Sequence, residues 1–169
     1  MNMSFTSDLP AVVREVEQHV AAGGWDQPTR LFAIVPTAAL LESDPTLTLS
    51  GELALTSIEQ ELEDVSVTLD ELLGHIAWPD DVVGAIVVVE RIVLPPEAQD
   101  ELPDENDAHL IAAVADHPDR RDVRMVSAVL RTGSNMNALR YRLHDEPDSV
   151  AIAPDLVPQL NDALAATFA

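Results

Sequence analysis

The sequence predicts an α+β fold, a single domain in which a mostly antiparallel or mixed sheet of about four to five strands carries helices packed on it. Three observations lead there. Segments of helical period alternate with short β-branched apolar runs along the whole 169-residue chain. Two strand-like segments near the C-terminus flank Thr132-Gly133-Ser134, a hairpin signal that makes neighbouring strands antiparallel. No internal repeat or linker divides the chain, so residues 1–169 read as one unit.

The elements follow in order. Leu9, Val12, Val13, Val16 and Val20 form a helical stripe, with Ser7 or Asp8 as its cap and Gly23-Gly24 as its end. Arg30-Leu-Phe-Ala-Ile-Val35 reads as a buried strand, and a brief helix runs from Ala38 to about Glu42. Thr46 to Leu62 leaves two alternatives, a hairpin around Ser50-Gly51 or a single strand across Leu55 to Leu62. Thr68-Leu-Asp-Glu71 is a capping box, and Leu69, Leu72, Leu73 and Ile76 continue it as a helix. Val82 to Leu94 is the strongest strand, apolar on both faces as a central strand covered on both sides would be.

Residues 97–107 carry only acidic charge and read as a solvated loop. Ala108 to Asp116 reads as a helix that buries Leu110, Ile111 and Val114. Strands at 122–131 and 136–144 make the hairpin. Asp155 then caps a last helix through Phe168, with Pro158 at its third position, where no intrahelical N–H is needed.

Composition narrows the function classes. Hydrophobic residues make up 47 % of the chain, enough for a core, and the absence of cysteine excludes disulfides, thiolate metal sites and a cysteine nucleophile. Thirty acidic residues against nine arginines, with no lysine, give a net charge of -21. That field repels nucleic acid and anionic lipid and favours a basic protein partner or a cation. The blander account, which we prefer, is GC-rich coding or salt adaptation together with the solubility that acidic surface brings. The N-terminus lacks a basic region followed by an apolar run, and no stretch approaches the ~20 apolar residues that span a bilayer. Neither a membrane nor a secreted location is expected, and the cytoplasm fits.

Gly24-Trp-Asp-Gln-Pro28 and Arg30-Leu-Phe-Ala-Ile-Val-Pro36 resemble the opening signature of a conserved hypothetical protein family of actinobacteria. Ile76-Ala-Trp-Pro-Asp80, Glu90-Arg-Ile-Val-Leu-Pro-Pro96, His117-Pro-Asp-Arg120, Val129-Leu-Arg131 and Asp155-Leu-Val-Pro158 are similar to its later blocks, in the same order. The resemblance spans nearly the whole chain. It implies a cytoplasmic protein of a high-GC actinobacterium, and it brings no activity and no catalytic residue.

The candidate site residues are Trp25, Asp26, Glu90, His117, Arg120, Arg124, Arg140 and Arg142. Six of the nine arginines fall between positions 120 and 142. Arg140 and Arg142 share a strand face, and across a hairpin Arg124 or Arg131 could join them to hold a carboxylate or phosphate bidentately. In so acidic a chain, pairing with carboxylates is the better expectation. Glu90 interrupts an apolar strand face, so it needs a partner, and an arginine of the hairpin is the natural one. Trp25-Asp26-Gln27-Pro28 could line a pocket, although a tryptophan plugging the core is the simpler account. Asp116-His117-Pro118-Asp119 offers a carboxylate and an imidazole, fewer protein ligands than a transition-metal site usually has, so no metal and no cofactor is expected. No phosphate loop, nucleophile elbow or dinucleotide fingerprint is present.

Two readings follow. The first is a noncatalytic protein-binding or adaptor domain, with room for a homodimer through exposed sheet edges. The alternative is a small enzyme or ligand-binding protein with an anion site made by the arginines of the C-terminal hairpin.

Overall fold

The computed structural model describes residues 3–43, 46, 54–62, 68–93, 121–146 and 149–168. Six strands occur among them: β1 (Arg30–Pro36), β2 (Leu55–Gln60), β3 (Gly84–Val93), β4 (Arg121–Leu130), β5 (Asn135–Tyr141) and β6 (Ala151–Ala153). They form one sheet in the order β2-β1-β3-β4-β5-β6, every neighbouring pair antiparallel. Among the described residues four α-helices accompany it: α1 (Met3–Ala21), α2 (Thr37–Ser43), α3 (Leu69–Gly74) and α4 (Pro158–Ala165).

The α+β class holds, and the strand count is corrected from four or five to six. The extra strand, β6, is three residues long, too short for any alternation to register in the sequence. Within 46–62, β2 matches the strand expected from Leu55 onward, and residues 47–53, where the hairpin alternative around Ser50-Gly51 would turn, lie outside the described residues. The loop assigned to 97–107 and the helix assigned to 108–116 lie outside them too.

Two helix starts also differ from expectation. α1 begins at Met3, so Ser7 and Asp8 are interior positions rather than caps, and Asp8 Oδ2 instead accepts the Ala54 N–H at 2.7 Å. Asp155 does not cap α4. It sits at φ 60°, in the left-handed region, and the helix opens at Pro158 behind Val157. Proline suits that first helical position because its missing N–H would be unsatisfied there anyway. Thr68 does cap α3, its Oγ1 accepting the Glu71 N–H at 3.2 Å.

Strand alternation divides the core into two layers. Phe32, Ile34, Ile86, Val88, Val126 and Ala128 face α1, whose Leu9, Val12, Val13, Val16 and Val20 are all buried against them. Leu31, Ala85, Val87, Val89 and Val129 face the other way, toward Leu73 of α3 and Leu164 of α4. β3 is therefore covered on both sides, which is why it reads as continuously apolar.

A buried polar network seats α4 on this second face. Asn137 and Asn161 exchange amide hydrogen bonds at 2.7 and 3.0 Å, and Ser127 Oγ donates to Asn161 Oδ1 at 2.6 Å. Asn137 Oδ1 also accepts the backbone N–H groups of Leu156 and Val157, supplying from β5 the cap that α4 does not make for itself.

Candidate functional site

Glu90, Arg124 and Arg140 are directly opposed positions of β3, β4 and β5, so they form one row across the sheet. Their even numbering puts them on the α1 face, beyond the apolar side chains that fill its middle. Arg124 is 1 % exposed and Arg140 4 %. Charges this deep require partners, because desolvation is costly unless it is offset by geometry and hydrogen bonds.

The partners come from two segments. From α1, Glu17 is 1 % exposed and receives Arg140 through both oxygens, Nη2 to Oε2 at 3.1 Å and Nε to Oε1. The turn after α1 then folds over the row. Gly24 at φ 84° and Asp26 at φ 66° occupy the left-handed region that turns the chain back onto the sheet. Gln27 holds the end of α1, its Nε2 donating to the carbonyls of Val20 and Gly24 at 2.7 Å each. The backbone N–H groups of Asp26 and Gln27 then reach Glu90 Oε1 and Oε2 at 2.8 and 3.2 Å.

Trp25 lies on top. Its ring centroid is 4.4 Å from the Arg124 guanidinium carbon and 5.7 Å from that of Arg142, a cation–π contact to each. Arg124 Nη2 donates to Glu90 Oε2 at 3.2 Å and to the Gly24 carbonyl. Its Nε and Nη1 are buried without an acceptor among the described residues, and the indole π face provides their electrostatic compensation. Trp25 Nε1 donates to Asp145 Oδ2 at 3.0 Å, while Asp145 Oδ1 accepts from Arg140 Nη1 at 2.9 Å. Arg142 grips Asp26 with both terminal nitrogens at 3.0 and 3.1 Å and touches Asp122 at 3.4 Å.

The electrostatics follow from these contacts. Burial alone would push the Asp145 carboxyl up, but the Trp25 N–H and the Arg140 guanidinium outweigh it and hold the group below the usual carboxylate range. The hydrogen bonds that Arg140 donates to Glu17 raise its pKa, and those that Arg142 donates to Asp26 do the same for it. Five carboxylates (Glu17, Asp26, Glu90, Asp122 and Asp145) surround three guanidiniums, so the cluster as a whole is anionic. It is an interlocked set of ion pairs with a tryptophan lid.

Of the sequence-derived candidates, Trp25, Asp26, Glu90, Arg124, Arg140 and Arg142 come together here. His117 and Arg120 lie outside the described residues, as does the Asp116-His117-Pro118-Asp119 cation candidate. Arg131 goes elsewhere: its Nε donates to the Val82 carbonyl at 2.6 Å, its Nη2 to that of Pro79 at 2.9 Å, and it lies over Phe168. Sequence reasoning missed Glu17, Asp122 and Asp145. Glu17 carried a signal, since it follows Val13 by four and precedes Val20 by three on the buried stripe of α1. Asp145 carried none. Among the described residues, no group of three or more His, Asp or Glu side chains could hold a metal ion, and no helix is long and apolar enough to cross a membrane.

Fold and cluster together define the class: an α+β domain on an all-antiparallel sheet, closed at one end by a buried arginine–carboxylate row under a tryptophan. Within that class the chain belongs to the family described as PPA1309-like protein, whose model matches residues 9–169. That description names no activity, in agreement with the conserved family whose motifs the sequence resembles. No curated protein and no solved structure matches the chain.

Proposed function

We propose that this chain is a noncatalytic protein-binding or adaptor domain that works in the cytoplasm, in a high-GC actinobacterium. The observation that carries the reading is the pairing of the hairpin arginines: Arg124, Arg140 and Arg142 are each held by a carboxylate of the chain itself. The alternative anion site would require a ligand to displace those carboxylates from within a cluster that is already anionic, against a net charge of -21. The same pairing leaves Glu90 engaged on both oxygens, with neither free to move a proton.

Self-association belongs to this reading in a lesser degree. β2 is an outer strand and its Ile58 is 38 % exposed, which suits edge pairing, but two copies of so acidic a chain repel each other. A heterologous partner is therefore favoured.

The test is affinity capture with the intact chain from its source organism, followed by reconstitution with the purified partner and light scattering. A heterologous complex of fixed stoichiometry is expected. A chain that stays alone, while a phosphate, nucleotide or carboxylate raises its melting temperature, would favour the anion site instead.

A further inference from the structure

The two faces of the sheet are not covered equally. Against α1 most apolar side chains are buried and four (Val83, Met136, Val150 and Ile152) are partly so, whereas the opposite face leaves eight partly buried, among them Leu69, Met125, Leu160 and Ala163. Between α3 and α4 runs a trough made of two adjoining cavities. One, of about 460 Å³, has Val89 and Met125 as its floor, Leu69 and Leu160 as its walls and Arg91 at its end. The other, of about 410 Å³, continues past Leu73 and Ile76 to Thr167. Asp70 and Ala163 line both, so they mark the middle.

We infer that this trough is the seat for a basic amphipathic helix of a partner protein, a deduction that rests on the protein-binding reading above. Length and shape suit it. The eight residues of α4 give the trough's wall a length of about 12 Å, enough for apolar anchors at i, i+3 or i+4, and i+7 of a docked helix. Charge selects the partner. Asp70 stands exposed at the midpoint beside Glu71, in the first turn of α3, within a chain of net charge -21. A lysine or arginine flanking the partner's apolar stripe would meet Asp70.

Arg91 is the one cation among the described lining residues, and its only hydrogen bond within the described residues is to the Glu90 carbonyl. It lies with Val157 and Pro158 at the N-terminal end of α4. A helix C-terminus carries partial negative charge, so Arg91 orients the guest with its C-terminus there, antiparallel to α4.

Three labelled synthetic peptides of equal length test this by fluorescence anisotropy against the intact chain: a Leu/Lys amphipathic helix, its Leu/Glu counterpart, and a Leu/Lys permutation without a helical stripe. The first should bind at least about tenfold more tightly than the other two. Asp70→Lys should weaken it about tenfold, whereas Glu15→Lys, an exposed α1 acid on the far face, should leave it unchanged. Ala163→Trp, which fills the trough, should abolish binding, and Asp70→Lys keeps the test valid if that variant fails to fold.

Equal losses from Asp70→Lys and Glu15→Lys, or equal binding of the permuted peptide, would overturn the seat in favour of unspecific attraction. Hydroxyl-radical labelling that finds Met125 and Leu160 as shielded as the core before any peptide is added would overturn it too, by placing a segment of the chain itself there. A natural partner that still binds both trough variants would refute the seat but keep the protein-binding reading.

Discussion

Arg140 shows most directly what burial demands of a single charge. It keeps its guanidinium 4 % exposed because Glu17 and Asp145 meet it on three nitrogens. Glu17→Leu leaves that cation with Asp145 alone. Removing one partner of a buried pair costs about 3–5 kcal/mol, and the surviving Asp145 contact should hold the loss to the lower end of that range. Urea denaturation measures it. Glu17→Leu combined with Arg140→Met should recover most of the loss, since an apolar pair of similar volume carries no desolvation penalty; a double variant as unstable as the single would contradict this. These residues also show how legible the site was. Glu90 was visible because a carboxylate in an apolar strand needs a cation, and Glu17 could have been found by the same logic on a helix. Asp145 and Asp122 could not, because their roles depend on where the hairpin ends lie in space.

At the level of elements, apolar period identified the longer strands, while polar punctuation placed the start of α3 but misplaced those of α1 and α4. Asp155 looked like a cap because it precedes a helical stripe. The N-terminus of α4 is instead served by Asn137, a strand residue 19 positions before Leu156. A cap donated across the fold has no local signature. Asn137→Ala should therefore cost about 1–3 kcal/mol for each polar partner it strands in the interior. It should speed hydrogen exchange across residues 158–165 more than in β3. Uniform acceleration throughout the sheet would show that the network stabilises the whole fold rather than seating this helix.

For the whole molecule, pH acts through two opposed effects. Lowering it first relieves the self-repulsion of a chain at -21, so stability should hold or rise slightly as pH drops from 7. Asp145 and Glu59 then reverse the trend. Glu59 is held low by its hydrogen bonds from Arg30, and Asp145 by Trp25 and Arg140 against the effect of burial. A carboxylate depressed in the folded state stabilises above its unfolded pKa, and that contribution is lost as pH falls through the folded value. Denaturant midpoints should therefore decline below about pH 5. A midpoint still rising at pH 3 would mean that relief of repulsion outweighs these pairs. Net charge and the gathering of arginines near the C-terminus were legible from the sequence, but which carboxylates meet them in the interior was not.

The row has a further consequence, in time rather than in energy. Arg140 and Glu17 are 123 residues apart in sequence, and Arg142 and Asp26 are 116 apart. Each pair closes a loop most of the chain long, so its entropy must be lost before the contact returns anything. A newly made chain can set the turn after α1 on Glu90 of β3 and Trp25 on Arg124 of β4, but it must reach the end of β5 before the pairs at Arg140 and Arg142 can close. Until then the Glu17 and Asp26 side chains lack the arginines they pair with, so the first helix takes its last partner from nearly the last strand.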